Sequence, residues 1–155
     1  MSETPEDRLR RLGLVLPPPA KPAGAYAPAC RVGSLLFLSG VGPMRPDGSY
    51  VTGRIGDDLT VAQGFEAARL CGLVLLANMR QALGSLDRVA RIVKAFGMVR
   101  CAPEFGRQPE VIDGCTTLFV EMFGEAGRPA RSAVGMAALP FGIAVEIEAV
   151  AEVAD

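Results

Sequence analysis

The 155 residues fit a single domain that buries about two-thirds of the surface its unfolded form would expose, and no apolar run reaches the roughly 20 residues a membrane span needs. A formal charge of −1, from 16 Lys and Arg against 17 Asp and Glu, argues against a broad phosphate-binding surface and makes nucleic acid a poor candidate partner. The absence of histidine removes Ser-His and Cys-His nucleophilic pairs, histidine-ligated metals and histidine acid–base chemistry, leaving Arg, Glu, Asp, Tyr, Ser, Thr, Cys, backbone groups and water.

The segment Met1 to Arg11 is charged rather than signal-like, so a cytoplasmic location is expected. Within it Thr4-Pro5-Glu6-Asp7 reads as an N-cap, a proline at the first helical position and first-turn acids, predicting a short helix to about Leu12. Pro17-Pro18-Pro19 then ends it, which leaves residues 1–22 as an extension ahead of one domain over 23–155. Tyr26 to Val32 and Leu35 to Ser39 are short apolar runs separated by Gly33-Ser34, the pattern of a hairpin, and Pro46-Asp47-Gly48 marks a further turn. Thr60-Val61-Ala62-Gln63 fits a capping box opening a helix to Leu83, with Val61, Phe65, Ala68, Gly72, Leu75, Met79 and Leu83 on one stripe and Gly84 behind it. Gly72 is expected to let this helix approach a sheet closely. Arg88 to Val99 reads as a strand, and Val111, Cys115, Leu118, Phe119 and Met122 define a second long helix stopped by Gly124 and Gly127.

Two strands, Ser132 to Ala138 and Ile143 to Val153, close the chain as a hairpin joined at Leu139-Pro140-Phe141-Gly142. In the last, Ile143, Val145, Ile147, Ala149, Ala151 and Val153 alternate with Ala144, Glu146, Glu148, Val150 and Glu152, so one face is apolar and the other carries carboxylates. The element order predicts an α+β fold, a sheet with two helices on one face. The cysteines Cys30, Cys71, Cys101 and Cys115 form no CxxC pair, which suggests buried free thiols, with neither zinc nor disulfides. Periodicity leaves Glu146 and Glu148 open between solvated surface charges and carboxylates that line a cleft and orient water. Arg131 is equally ambiguous alone, although a guanidinium is well suited to bidentate recognition of a carboxylate.

The run Arg131-Ser132-Ala133-Val134, then Leu139-Pro140, then Val145-Glu146-Ile147-Glu148-Ala149 resembles, in order and spacing, the C-terminal signature of the Rid (reactive intermediate deaminase, YjgF-like) family, whose members are often labelled endoribonuclease L-PSP. Leu36-Phe37-Leu38-Ser39-Gly40 resembles the family's N-terminal signature, and Ala82 to Val89 its helix end and following strand; the likeness spans Ala25 to Val153. This resemblance implies a chorismate-mutase-like mixed sheet assembled as a homotrimer, with sites in the clefts between subunits. It implies hydrolysis of enamines and imines such as 2-aminoacrylate to a 2-keto acid and ammonia. Arg131 then matches the arginine that grips the substrate carboxylate, Glu146 the glutamate that positions water, Ser39 a pocket serine and Tyr26 a pocket tyrosine. No cofactor or metal is implied, since a bound carboxylate, an oriented water and a proton relay suffice for an imine.

Three positions depart from the family pattern: Ala133 stands where many deaminating members carry cysteine, Asp113 where asparagine is common, and Val41 where glutamine is frequent. These mark a divergent branch and keep a second reading open, a non-catalytic trimer that binds a small carboxylate as a sensor or scaffold. An endoribonuclease ranks below both, because the histidines of metal-free RNA cleavage and a basic-aromatic surface are missing.

Overall fold

The computed structural model of the chain describes residues 3–154. In chain order they form α1 (Pro5–Arg11), β1 (Ala29–Val32), β2 (Leu35–Val41), α2 (Val61–Leu83), β3 (Val89–Arg100), α3 (Gln108–Phe123), β4 (Ala130–Met136) and β5 (Val145–Val153). Local chemistry sets most of these ends. Thr4 with Asp7, and Thr60 with Gln63, close reciprocal capping boxes at the starts of α1 and α2, and Gly84 ends α2 in the left-handed conformation that a side chain would resist. β1 starts at Ala29 rather than Tyr26, because Pro28 has no N–H to give the ladder and only accepts, from the Ser39 N–H at 3.0 Å.

The sheet order is β1-β2-β5-β3-β4, antiparallel except for the parallel β3–β4 pair. This corrects the expected C-terminal hairpin: β4 and β5 do not pair, because β3 lies between them. The α3 crossover carries the chain back to the start of β3, so β4 must run parallel to it, along Lys94 to Arg100. That register also moves β4 to Ala130–Met136, two residues earlier than the apolar pattern suggested.

Val145, Ile147, Ala149, Ala151 and Val153 of β5 are buried beneath α2 and α3, as the alternation predicts. The helices meet each other more closely than either meets the sheet. A Cβ on Gly114 would clash with the Phe65 carbonyl and sit 3.1 Å from the Arg69 nitrogen, and one on Gly72 would lie 2.9 Å from Leu118. Gly72 therefore faces α3 and not the sheet, since its stripe position points at the neighbouring helix; the glycine that admits a helix to the sheet is Gly97, beneath Ile112.

The N-terminal segment packs onto this body. Leu9 is buried in the shared core, the Glu6 carboxylate accepts from Arg80 and from the Leu86 N–H, and the buried Asn78 side chain accepts from the Ala20 N–H at 3.1 Å. All four cysteines are free thiols, but the expectation of burial fails for Cys30, which is exposed on β1 opposite Phe37. Burial pushes the Cys71 and Cys115 thiols well up, so both are inert. The sheet face away from the helices stays open, with Phe37 and Val93 exposed. Among the described residues no helix is long and apolar enough to cross a membrane.

Candidate functional site

Glu146 sits near the start of β5, beside the irregularity where β2 slips register between Leu38 and Val41. The bulge places Gly40 against the Glu146 side chain so closely that a Cβ there would lie 3.2 Å from the carboxyl carbon, with the oxygen nearer still. Only glycine leaves this carboxylate its place. Burial, then the like charge of Glu148, raises the Glu146 carboxyl above its ordinary range, and no cation pairs with it among the described residues. It borders a cavity of about 470 Å³ walled by Val41, Tyr50, Val74 and Ile143, with Tyr26, Lys21 and Phe141 around it. An uncompensated, half-buried carboxylate of raised basicity is suited to accept a proton from water.

Tyr26 shares that cavity, and its hydroxyl accepts from the Ala23 N–H at 3.1 Å. Ser39 lies next to it but donates its hydroxyl hydrogen to the Ala27 carbonyl at 2.6 Å. It lines a separate hollow of about 240 Å³ on the open face, with Glu148, Lys94 and Cys30. The second predicted carboxylate is thus exposed and apart from the first.

Arg131 is on β4 at the sheet edge. Its register partner is the buried Ala95, so its side chain leaves on the helix side and meets α3. Nη1 donates to Asp113 at 2.6 Å and to the Thr116 hydroxyl at 3.1 Å, while Nε and Nη2 make no hydrogen bond among the described residues. The guanidinium is thereby oriented by one corner, and its two-donor edge remains free for a planar anion. A cavity of about 510 Å³ adjoins it, lined by Asp113, Thr116, Thr117, Val120, Arg128 and Pro129. Ala133, two residues on, is turned to the same side and packs against the core.

Within one chain the predicted residues therefore fall into two groups. Glu146 pairs in register with Met98 and Arg131 with Ala95, on strands separated by β3 and on opposite faces. Two strand spacings alone separate them by about 10 Å, beyond the reach of one small substrate. Sequence reasoning missed Thr116, Tyr50, Lys21 and Phe141. Thr116 follows Asp113 at helical i+3 spacing and was legible in principle; the others reach the Glu146 cavity from connections whose path no periodicity reveals.

A five-stranded mixed sheet carrying two long helices on one face, with Arg131 and Glu146 near its ends, defines an α+β protein of the chorismate-mutase-like class. The chain belongs to the family described as "YjgF/chorismate_mutase-like, putative endoribonuclease", which it matches over residues 6–153. It is 46% identical over 145 residues to Protein TCP17 of Trypanosoma cruzi, covering 93% of this chain and 91% of that one. The solved structure of Atu1372 from Agrobacterium tumefaciens, a protein of unknown function, superposes with a TM-score of 0.88 at 43% identity, covering 98% of this chain and 93% of its own. A "putative endoribonuclease" from Shewanella oneidensis MR-1 superposes with a TM-score of 0.92 at 36% identity, covering 96% and 99%. Proteins named RutC family and RidA match at lower identity.

Proposed function

We propose that the protein hydrolyses reactive enamines and imines derived from amino acids, of the 2-aminoacrylate kind, to a 2-keto acid and ammonia, and that it does so as a homotrimer. The observation that carries this reading is Glu146: a half-buried carboxylate without a cation, more basic than usual, at the edge of a cavity that admits substrate and water. The enamine tautomerises to the imine. Glu146 orients a water and takes its proton as the oxygen attacks the imine carbon; the proton passes to nitrogen, and the resulting carbinolamine collapses to ketone and ammonia. The free edge of Arg131 holds the substrate carboxylate. Because Arg131 and Glu146 of one chain lie too far apart, the reading requires that one subunit supply the arginine and its neighbour the glutamate. The open sheet face, with exposed Phe37 and Val93, supports a packed assembly.

The test is release of ammonia and keto acid from freshly generated 2-imino acids. Wild type should turn over, and Glu146→Gln should lose turnover by at least about a hundredfold, in line with loss of a general base, while still binding pyruvate. A sedimentation mass near the 16.3 kDa monomer would refute the shared site. A second reading, a carboxylate-binding sensor, is favoured by Ala133, which stands where many deaminating members of the family carry cysteine. It predicts keto-acid binding that survives Glu146→Gln and no turnover in wild type.

A further inference from the structure

We infer that Phe141 is a specificity-determining residue of the Glu146 cavity, its ring held at the mouth to pack on the side chain of a 2-imino acid that is apolar or aromatic and larger than the three-carbon one. This rests on the deaminase reading above and narrows its substrate.

Phe141 lies in the tight turn Pro140–Gly142 that leads into β5, with φ of 58° and ψ of 14°. It is the one non-glycine residue with positive φ among those described, a conformation that is costly for a bulky side chain and persists only where its surroundings over-determine it. The surroundings do so through Gly142, whose carbonyl accepts from the Gly53 N–H at 3.1 Å and from Arg100 Nη1 at 3.2 Å, while its N–H reaches the Leu139 carbonyl at 3.1 Å. The ring gains nothing from this within the chain, because Phe141 is 85% exposed. A strained backbone that delivers a large aromatic ring to water calls for a contact outside the chain.

The place it reaches names that contact. Phe141 borders the same cavity as Glu146, and apart from Lys21 its remaining side-chain walls are apolar or aromatic, with Val41, Tyr50, Val74 and Ile143 among them. A volume of about 470 Å³ falls in the range that encloses a whole drug-sized ligand, about 300–1,000 Å³, and far exceeds the needs of a three-carbon acid. With the imine carbon at Glu146, the substrate side chain has these walls to cover and the Phe141 ring to close over it, edge-on or offset-stacked.

The experiment compares the full-length wild type with Phe141→Ala and Phe141→Leu, on imino acids generated in situ from L-phenylalanine, L-leucine and L-alanine, and by calorimetric titration with phenylpyruvate and pyruvate. Phe141→Ala should lower kcat/KM by about tenfold or more for the phenylalanine-derived imine, mostly through KM, with less than about a twofold change for the alanine-derived one. Phe141→Leu should restore the leucine-derived substrate in part, and sedimentation mass should not change. An equal loss on all three substrates, or no loss on any, overturns the inference. So does a fall in mass, which would make the ring a contact between copies of the chain. If wild type turns over none of the imines, the deaminase reading fails by itself. The titration then still decides, because tighter binding of phenylpyruvate than of pyruvate that disappears in Phe141→Ala upholds the pocket, and equal binding refutes it.

Discussion

Asp113→Asn should tighten the binding of 2-keto acids, although it removes one half of an ion pair. Asp113 and Arg131 make a contact of 2.6 Å with side chains 51% and 23% exposed, so the pair itself contributes at most about 1 kcal/mol to stability. The asparagine oxygen still accepts from Nη1, and Thr116 still holds the same nitrogen at 3.1 Å, so the guanidinium keeps its direction. What changes is the field at the anion site. A ligand carboxylate on the free edge of Arg131 lies about 6 Å from Asp113, where like charges repel by about 0.7 kcal/mol at the dielectric of water and about 2.8 kcal/mol at an effective value near 20. Since Asp113 is half exposed, the lower part of that range applies, or about three- to tenfold in affinity. Calorimetric titration with pyruvate at low salt should show this gain, and salt near 1 M, where screening extends over only about 3 Å, should erase most of it. In parallel Arg131→Lys, which keeps the charge but loses the planar fork, should weaken binding. Unchanged or weaker binding by Asp113→Asn at low salt would refute the anchor, because it would mean that no anion sits beside Arg131.

Glu146 carries a pH signature in stability as well as activity. Its folded-state carboxyl is raised above the ordinary value of 4.5 by burial, so the native state holds the proton more tightly than the unfolded state; the associated stability is present below that value and is lost as pH rises through it toward the folded value. Glu146→Gln, which carries no charge to desolvate, should melt higher than wild type at pH 7 with the difference shrinking toward pH 4, and a constant difference across that range would count against the burial of the charge. At the helix interface Gly114→Ala should destabilise, because the new methyl would lie 2.8 Å from the Phe65 carbonyl carbon, where backbone on both sides can give only if α2 and α3 separate. Overpacking of about 3 kcal/mol, offset by about 1 kcal/mol of helix propensity, predicts a melting temperature lower by about 4–8 °C by circular dichroism; an unchanged or raised value would show that the contact relaxes freely.

Where local chemistry decides, these residues announce their own structure. Thr60 with Gln63 and then Gly84 bracket α2 because caps and left-handed glycines act within one helical turn, and β5 shows its buried face because side chains on a strand alternate whatever the strand pairs with. The order and spacing of Arg131, Leu139-Pro140 and Glu146-Ile147-Glu148 likewise carry the family in the chain itself, and the match over residues 6–153 bears that out. Pairing partners are a different matter. Nothing in Ser132 to Val153 says that β3 enters between its two strands, because hydrogen-bonding edges are alike from one strand to the next and the choice is made by the α3 crossover. That choice puts Arg131 against α3 and Asp113 and leaves Glu146 among Gly40, Tyr26 and Phe141, separating two residues that the sequence places only 15 positions apart. The sequence by itself determined the capped starts of α1 and α2, the buried face of β5 and the family. Only the tertiary structure decided which residues share a cavity, because that depends on strand order and on the paths of loops, which are set by the packing of the whole chain.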